Sequence, residues 1–317
     1  MNTTGTAART VLEIELAPLA GSRFQPTGFP DLGAATFERP DGAGGWTNAL
    51  LVESVQSMAN RLEQTTWDAA SSSQVAALEG VPFVRVVDPD GVFLTSSRLE
   101  AHRLAAAYIM DGQVDGQEGR DWLRDRLGLV EGRPLDHASV AGGVLALDPL
   151  SLVHGVFFAQ KKWPWQPKVA RAVTCFVEAH DVRPAVSGGV KRDSVVNEAK
   201  DKATSEGYGM VPHHRTEFTA ARLVAYVNVD RDQLRSFGLG DAATALLDAL
   251  VDYEIGTLFR SGLRLRTACD LAVVDVSGGD LPDPDAAAAR VHEAVAGCGE
   301  LLGPVRDVVW AGRTKRS

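Results

Sequence analysis

The apolar positions of this chain change period several times, and each change marks an element. Val11, Leu12, Ile14, Leu16 and Leu19, bounded by Pro18 and Gly21, alternate closely enough to predict a first strand. The stretch that follows, GSRFQPTGFPDLGAATFERPDGAGG, holds six glycines and three prolines before Trp46 and predicts a long loop with no helix and little strand. Loops of that length in compact domains are usually functional or disordered, and Phe24 and Phe29 favour an ordered, functional one. From Asn48 to Gln64 the period lengthens to that of a helix. Leu51, Val55, Met58 and Leu62 form an apolar stripe, and Ser54, Ser57, Arg61 and Gln64 a polar one. That polar stripe is either a solvated face or, because hydroxyls, amides and arginine stand where Glu and Lys are usual, a face that another chain approaches closely.

Further along, VPFVRVV (Val81 to Val87) and VFLT (Val92 to Thr95) flank the turn Pro-Asp-Gly and suggest a hairpin. Ser97 to Met110 and Gln117 to Leu127 read as helices, so 97–141 is expected to be a helical insertion. Leu150 to Phe158 is apolar and runs into KKWPWQPK, where Pro164 and Pro167 exclude a helix. Val169 to His180 alternates as a strand, with Val173, Cys175 and Val177 on one face. Ala185 to Pro212 is polar and mixed in charge, an extended excursion with at most a short helix near Val195 to Ala203. A strand at Leu223 to Val229, a helix at Ala242 to Phe259, a strand at Leu263 to Val276 and an alanine-rich helix at Asp285 to Ala296 follow. The order strand, helix, strand, then strand, helix, strand predicts an α+β fold in one domain over 1–317. It fits an RRM-like or ferredoxin-like core, a split βαβ with an antiparallel sheet, enlarged by insertions.

Composition narrows the function. Of 317 residues 45% are hydrophobic and 23% charged, which excludes a disordered or collagen-like chain. The net charge of -9 argues against a protein that coats nucleic acid indiscriminately. Its distribution is uneven, however: residues 160–222 carry 11 basic and 7 acidic side chains and form the only net positive segment. Cys175, Cys269 and Cys298 have neither disulfide nor metal-knuckle spacing and are expected to be structural. No run approaches the roughly 18 apolar residues of a membrane helix, and the first residues lack an apolar signal segment, so the expectation is a cytoplasmic protein with no membrane partner.

There is no GxxxxGK[ST] loop, no GxGxxG after a strand, no HExxH, no GxSxG and no zinc spacing, so no cofactor and no metal are expected. His213 and His214 would suit general acid and base in RNA cleavage, or form a surface turn after Pro212. Lys161, Lys162 and Lys168 interleave with Trp163 and Trp165, a composition that lets cations track phosphates while rings stack on bases. The same residues could be a snorkelling edge around a partly buried tryptophan pair. Arg171, Lys191 and Arg192 lie in the same positive segment. Arg264 and Arg266 alternate on one strand face, towards solvent or a groove.

Four blocks, GSRFQPTGFPDLGAATFERPDG, LLVESVQSMANRLE, VRPAVSGGVKRD and SGLRLRTACDL, resemble the backbone subunit of type I-G (formerly I-U) CRISPR effector complexes, a RAMP protein of the Cas-seven class. The resemblance implies a non-catalytic subunit whose copies stack as a helical filament on a CRISPR RNA, beside other effector subunits, and present the spacer for pairing with target DNA. It implies RNA contacts from Arg23, Gln25 and Thr27 in the first loop and from Ser54, Gln56, Ser57, Asn60 and Arg61 on the helix. It also implies a thumb-like excursion over 186–212 with Lys191 and Arg192 at its root; the residue that stacks at its tip is open, with Tyr208 and Met210 as candidates. The alternative is an RNA-cleaving RAMP protein, because type III relatives cut with an aspartate in the loop after the first strand and Asp31 lies in a comparable loop.

Overall fold

The computed structural model describes residues 8–27, 33–192, 210–265 and 269–312. β1 (Arg9–Pro18) is followed by a hairpin of β2 (Thr36–Pro40) and β3 (Trp46–Glu53) and by helix α1 (Val55–Gln64). A second hairpin, β4 (Val84–Val87) and β5 (Phe93–Ser96), precedes helices α2 (Gly119–Arg126) and α3 (His137–Leu147). Next come a two-residue ladder of β6 (Val156–Phe157) with β7 (Lys168–Val169), then β8 (Val173–His180). A long hairpin of β9 (Arg183–Arg192) and β10 (Met210–Thr219) leads into β11 (Arg222–Asp230). Helix α4 (Asp241–Arg260), β12 (Leu263–Arg264), β13 (Asp270–Ser277), helix α5 (Pro284–Cys298) and β14 (Arg306–Val309) follow.

Seven strands form the main sheet in the order β12-β13-β1-β11-β8-β3-β2, and every neighbouring pair is antiparallel. The inner four, β13-β1-β11-β8, have the order of a ferredoxin-like split βαβ: β1 leads through α1 to β8, and β11 through α4 to β13. Alternation explains which face is buried. Leu12, Ile14 and Leu16 of β1, Val173, Cys175 and Val177 of β8 and Val227 and Val229 of β11 are all under 4% exposed, whereas Glu13 and Glu15 turn away from the core. Met58 and Leu62 of α1 and Leu246, Leu250 and Phe259 of α4 cover that face. At Gly256 of α4 an added Cβ would lie 2.4 Å from the Pro282 carbonyl oxygen, so the chain entering α5 can press against α4 only there being no side chain.

A second sheet joins β5, β4, β14 and a short ladder of Gln113–Val114 with Gln117–Glu118, with β14 parallel to β4. All three cysteines are buried and none is in a disulfide. Burial, with the charge of Glu53, pushes the Cys175 thiol up. Among the described residues no helix is long and apolar enough to cross a membrane.

Several boundaries differ from the periodic reading. The helix expected from Asn48 starts at Val55, because Trp46 to Glu53 pair with β2 and β8 as a strand. Leu51, counted in the helical stripe, belongs to that strand. β2 lies inside the stretch expected to be loop. Ser97 to Met110 is not one helix but a 3₁₀ turn at Arg103–Ala105 and a four-residue helix at Ala107–Met110. Arg98 is drawn inward to Asp148, and Arg103 has a φ of 51°, which no continuous right-handed helix accommodates. The short helix expected near Val195 to Ala203 lies outside the described residues.

Candidate nucleic-acid interface

Helix α1 is the spine of the site. Ser54 caps it, its hydroxyl accepting from the Ser57 N–H at 3.2 Å. Gln56 and Asn60 are exposed one turn apart, the Gln56 amide 3.5 Å from the Asn60 carbonyl oxygen. Ser57 and Arg61, read as part of a polar stripe open to solvent or to another chain, are instead engaged by Glu53, whose side chain is wholly buried. The Ser57 hydroxyl donates to Glu53 Oε1, and Arg61 Nε donates to the same oxygen from 3.1 Å. The other Arg61 arm donates to the Arg264 carbonyl at 2.9 Å and ties α1 to β12. A buried carboxylate is costly without such partners. Arg61→Glu is therefore expected to lower stability by about 3 kcal/mol in chemical denaturation, since it removes a cation and adds a like charge. An unchanged midpoint would show that Glu53 does not depend on Arg61.

The first loop runs between the root of the long hairpin and the start of α1. Phe24 is buried, exchanges both backbone hydrogen bonds with Phe218 at 2.9 and 2.8 Å, and packs its ring 6.5 Å from that of Phe218. Arg23 beside it is exposed and pairs with buried Glu217 at 3.0 Å. Gln25 is half-buried, and exposed Thr27 donates its N–H to the Val52 carbonyl at 2.9 Å, two residues before the Ser54 cap. Loop and helix N-terminus thus meet.

At that N-terminus stands Arg171, just before β8. One arm donates to Gln56 Oε1 at 3.2 Å and the other to the Val55 carbonyl at 3.5 Å. Among the described residues it pairs with no carboxylate. Burial, and then the positive charge of Arg103, hold its guanidinium below the usual arginine range, against the weaker pull of Glu63. Arg171 lines a cavity of about 650 Å³ together with His102, His154, Phe157, Gln160 and Lys168.

The lysines separate. Lys161, Lys162 and Lys168 are all exposed. Lys168 opens on the cavity beside α1, whereas Lys162 lines a different one with Arg124, Glu131 and Trp163. The two tryptophans are anchors: Trp163 is buried, stacked 5.8 Å from Phe158, and the half-exposed Trp165 donates its indole N–H to the Arg133 carbonyl at 2.9 Å. Arg264 is 83% exposed, 3.6 Å from Asp270. It sits where Arg61 reaches β12, so α1 connects a cationic cavity at one end with a cation at the other.

Lys191 and Arg192 stand in β9 opposite Val211 and Met210. His213 and His214 occupy register positions opposite Gly189 and Gly188. Asp31, Arg266 and Tyr208 lie outside the described residues. Sequence reasoning did not single out His102, Phe157 or Gln160, which share no motif and meet only in the fold.

The family model described as CRISPR-associated protein GSU0053 matches residues 10–184, just over half of the chain. Among curated proteins none matches the sequence. Matches among solved structures include a chain of a "CRISPR RNA-guided surveillance complex, pre-nicking", 13% identical with a TM-score of 0.40, covering 84% of this chain and 77% of that one. A chain of a "CRISPR RNA-guided surveillance complex" is 14% identical with a TM-score of 0.34, over 84% and 68%. Csc2 of Thermofilum pendens is 11% identical with a TM-score of 0.31, over 93% and 76%.

Proposed function

Since the chain belongs to the CRISPR-associated protein GSU0053 family, we propose that it is the guide-RNA-binding backbone subunit of a type I-G effector complex, holding its strand without cutting it. Copies stack along the CRISPR RNA beside the other subunits and leave the spacer open to pair with target DNA. In this reading 97–141 is an insertion into one RRM-like domain and 186–212 the thumb-like excursion.

One observation carries the proposal: on an acidic protein, two cations beside the start of α1, Arg171 and Lys168, are left without carboxylates among the described residues, while Arg61 and Arg103 are paired with Glu53 and Glu63. Elsewhere Arg85 pairs with Asp307, Arg222 with Glu15, and Arg231 with both Asp248 and Asp252. A strand held irrespective of sequence needs phosphate contacts from such cations, from amides such as Gln56 and from a helix N-terminus; those contacts position it and carry no base information. Because each copy contributes a small footprint, affinity comes from many copies on one strand.

The purified protein is expected to carry RNA of uniform length, read as an absorbance ratio dominated by nucleic acid and one band on a denaturing gel. Recovery as a nucleic-acid-free monomer that also ignores added single-stranded RNA would overturn the proposal.

A further inference from the structure

The cavity beside α1 contains more than cations. In the β6–β7 ladder Val156 is opposite Val169 and Phe157 opposite Lys168. Directly opposed residues share a face, so both valines turn to the core while the Phe157 ring and the Lys168 side chain stand together on the other side. Phe157 is 50% exposed, in contrast to the fully buried Phe158 beside it. Gln160 and His102 add polar groups to the same wall. His154, also lining the cavity, is fully buried. Its Nε2 faces the two Glu254 oxygens at 3.0 and 2.9 Å, and its Nδ1 has no hydrogen-bond partner among the described residues. Buried polar atoms without partners are rare in native proteins and call for an explanation.

Two of the backbone segments that wall this space are held in close approach. Gly155 has a φ of 79°, and a Cβ there would lie 2.8 Å from the Val169 oxygen and 2.9 Å from the Arg171 nitrogen. The Gly155 carbonyl accepts from Arg103 at 3.0 Å, which fixes one wall to α1 through the Arg103–Glu63 pair. At about 650 Å³ the space is in the range of small-ligand sites, ~300–1,000 Å³.

A ring open to stacking, two cations without carboxylates and a few polar groups at the wall match one chemical unit, a nucleotide with its phosphate. We propose that the cavity takes a single nucleotide of the bound RNA, its base against Phe157 and its phosphate between Lys168 and Arg171. This rests on the RNA-binding reading above. A free nucleoside monophosphate offers the same chemistry. The strand is favoured because Arg171 both lines the cavity and grips Gln56, so a strand lying along α1 continues into it.

The test uses the full chain, stripped of bound RNA, with Phe157→Ala and Phe157→Trp. Single-stranded RNA and adenosine monophosphate are titrated separately. Phe157→Ala is expected to weaken RNA binding about tenfold with an unchanged melting temperature, the size of one lost stack. Phe157→Trp should bind RNA within about twofold of the parent, and its added tryptophan emission should be quenched by RNA. If the parent binds RNA but Phe157→Ala binds equally well, or the new emission ignores RNA, the inference fails and the RNA-binding reading stands. Emission that responds to adenosine monophosphate and not to RNA assigns the cavity to free nucleotide and overturns the strand version. A parent that binds no RNA overturns both.

Discussion

Replacing Lys161, Lys162 and Lys168 together by glutamate is expected to reduce affinity for single-stranded RNA about a hundredfold near 0.15 M salt and to flatten the salt dependence by about 2 in log–log slope. The magnitude follows from counterion release, in which each neutralised phosphate of a single strand contributes about 0.7 to the slope. Fold stability should stay within about 0.5 kcal/mol of the parent, because all three side chains are exposed and bonded to nothing whose loss would strand a buried group. The three should not contribute equally. Lys168 opens on the cavity beside α1 and Lys162 on another, so Lys168→Glu alone should account for more than a third of the loss. An unchanged slope in the triple variant would place these lysines off the path of the strand.

Arg103→Ala is expected to cost about 3–5 kcal/mol of stability, which is a large share of the roughly 5–15 kcal/mol that holds a domain folded. The guanidinium forks onto Glu63 at 2.6 and 2.8 Å, both side chains are nearly sealed from solvent, and the third nitrogen holds the Gly155 carbonyl. Without it the Glu63 carboxylate is left buried and unpaired. The fork also holds Arg103 in a left-handed conformation that costs an L-residue roughly 1–2 kcal/mol. The double replacement Arg103→Met with Glu63→Met should recover most of the loss, because two apolar groups leave no stranded charge. Denaturant unfolding of the single and double variants decides between explanations. A double variant no more stable than the single one would mean that lost packing, and not the unpaired carboxylate, destabilises the chain.

Much of the core was legible where period and burial coincide. β1, β8 and α5 bury chiefly one face, so their apolar residues recur at the period of the element, while α4 is apolar and buried on most sides. The junction of β3 and α1 was not legible. Ala49, Leu50 and Val52 are all buried, a run without alternation, and the strand exists because it pairs with β8, where Ala49 lies opposite His180. The site divided in the same way. Clustered lysines and tryptophans announced a cationic segment, but Trp163 and Trp165 are anchors, and the open ring is Phe157, which no pattern marked. Ser57 and Arg61 stood on a polar stripe, and only the burial of Glu53 at the end of β3 explains why they turn to it.

The sequence by itself determined the α+β class, the order of the core strands and helices, the buried cysteines and the one net positive segment, since each depends on neighbours close along the chain. The tertiary structure alone decided which of the positive charges remain available. Arg23, Arg61, Arg103 and Arg171 are indistinguishable as letters. Three of them are met by Glu217, Glu53 and Glu63, and among the described residues the fourth meets only an amide and a carbonyl at the lip of a cavity. Such pairings join residues as far apart as 23 and 217, and folding settles them through desolvation: a carboxylate taken out of water must find a cation, and the cation that none of them takes is left for a phosphate.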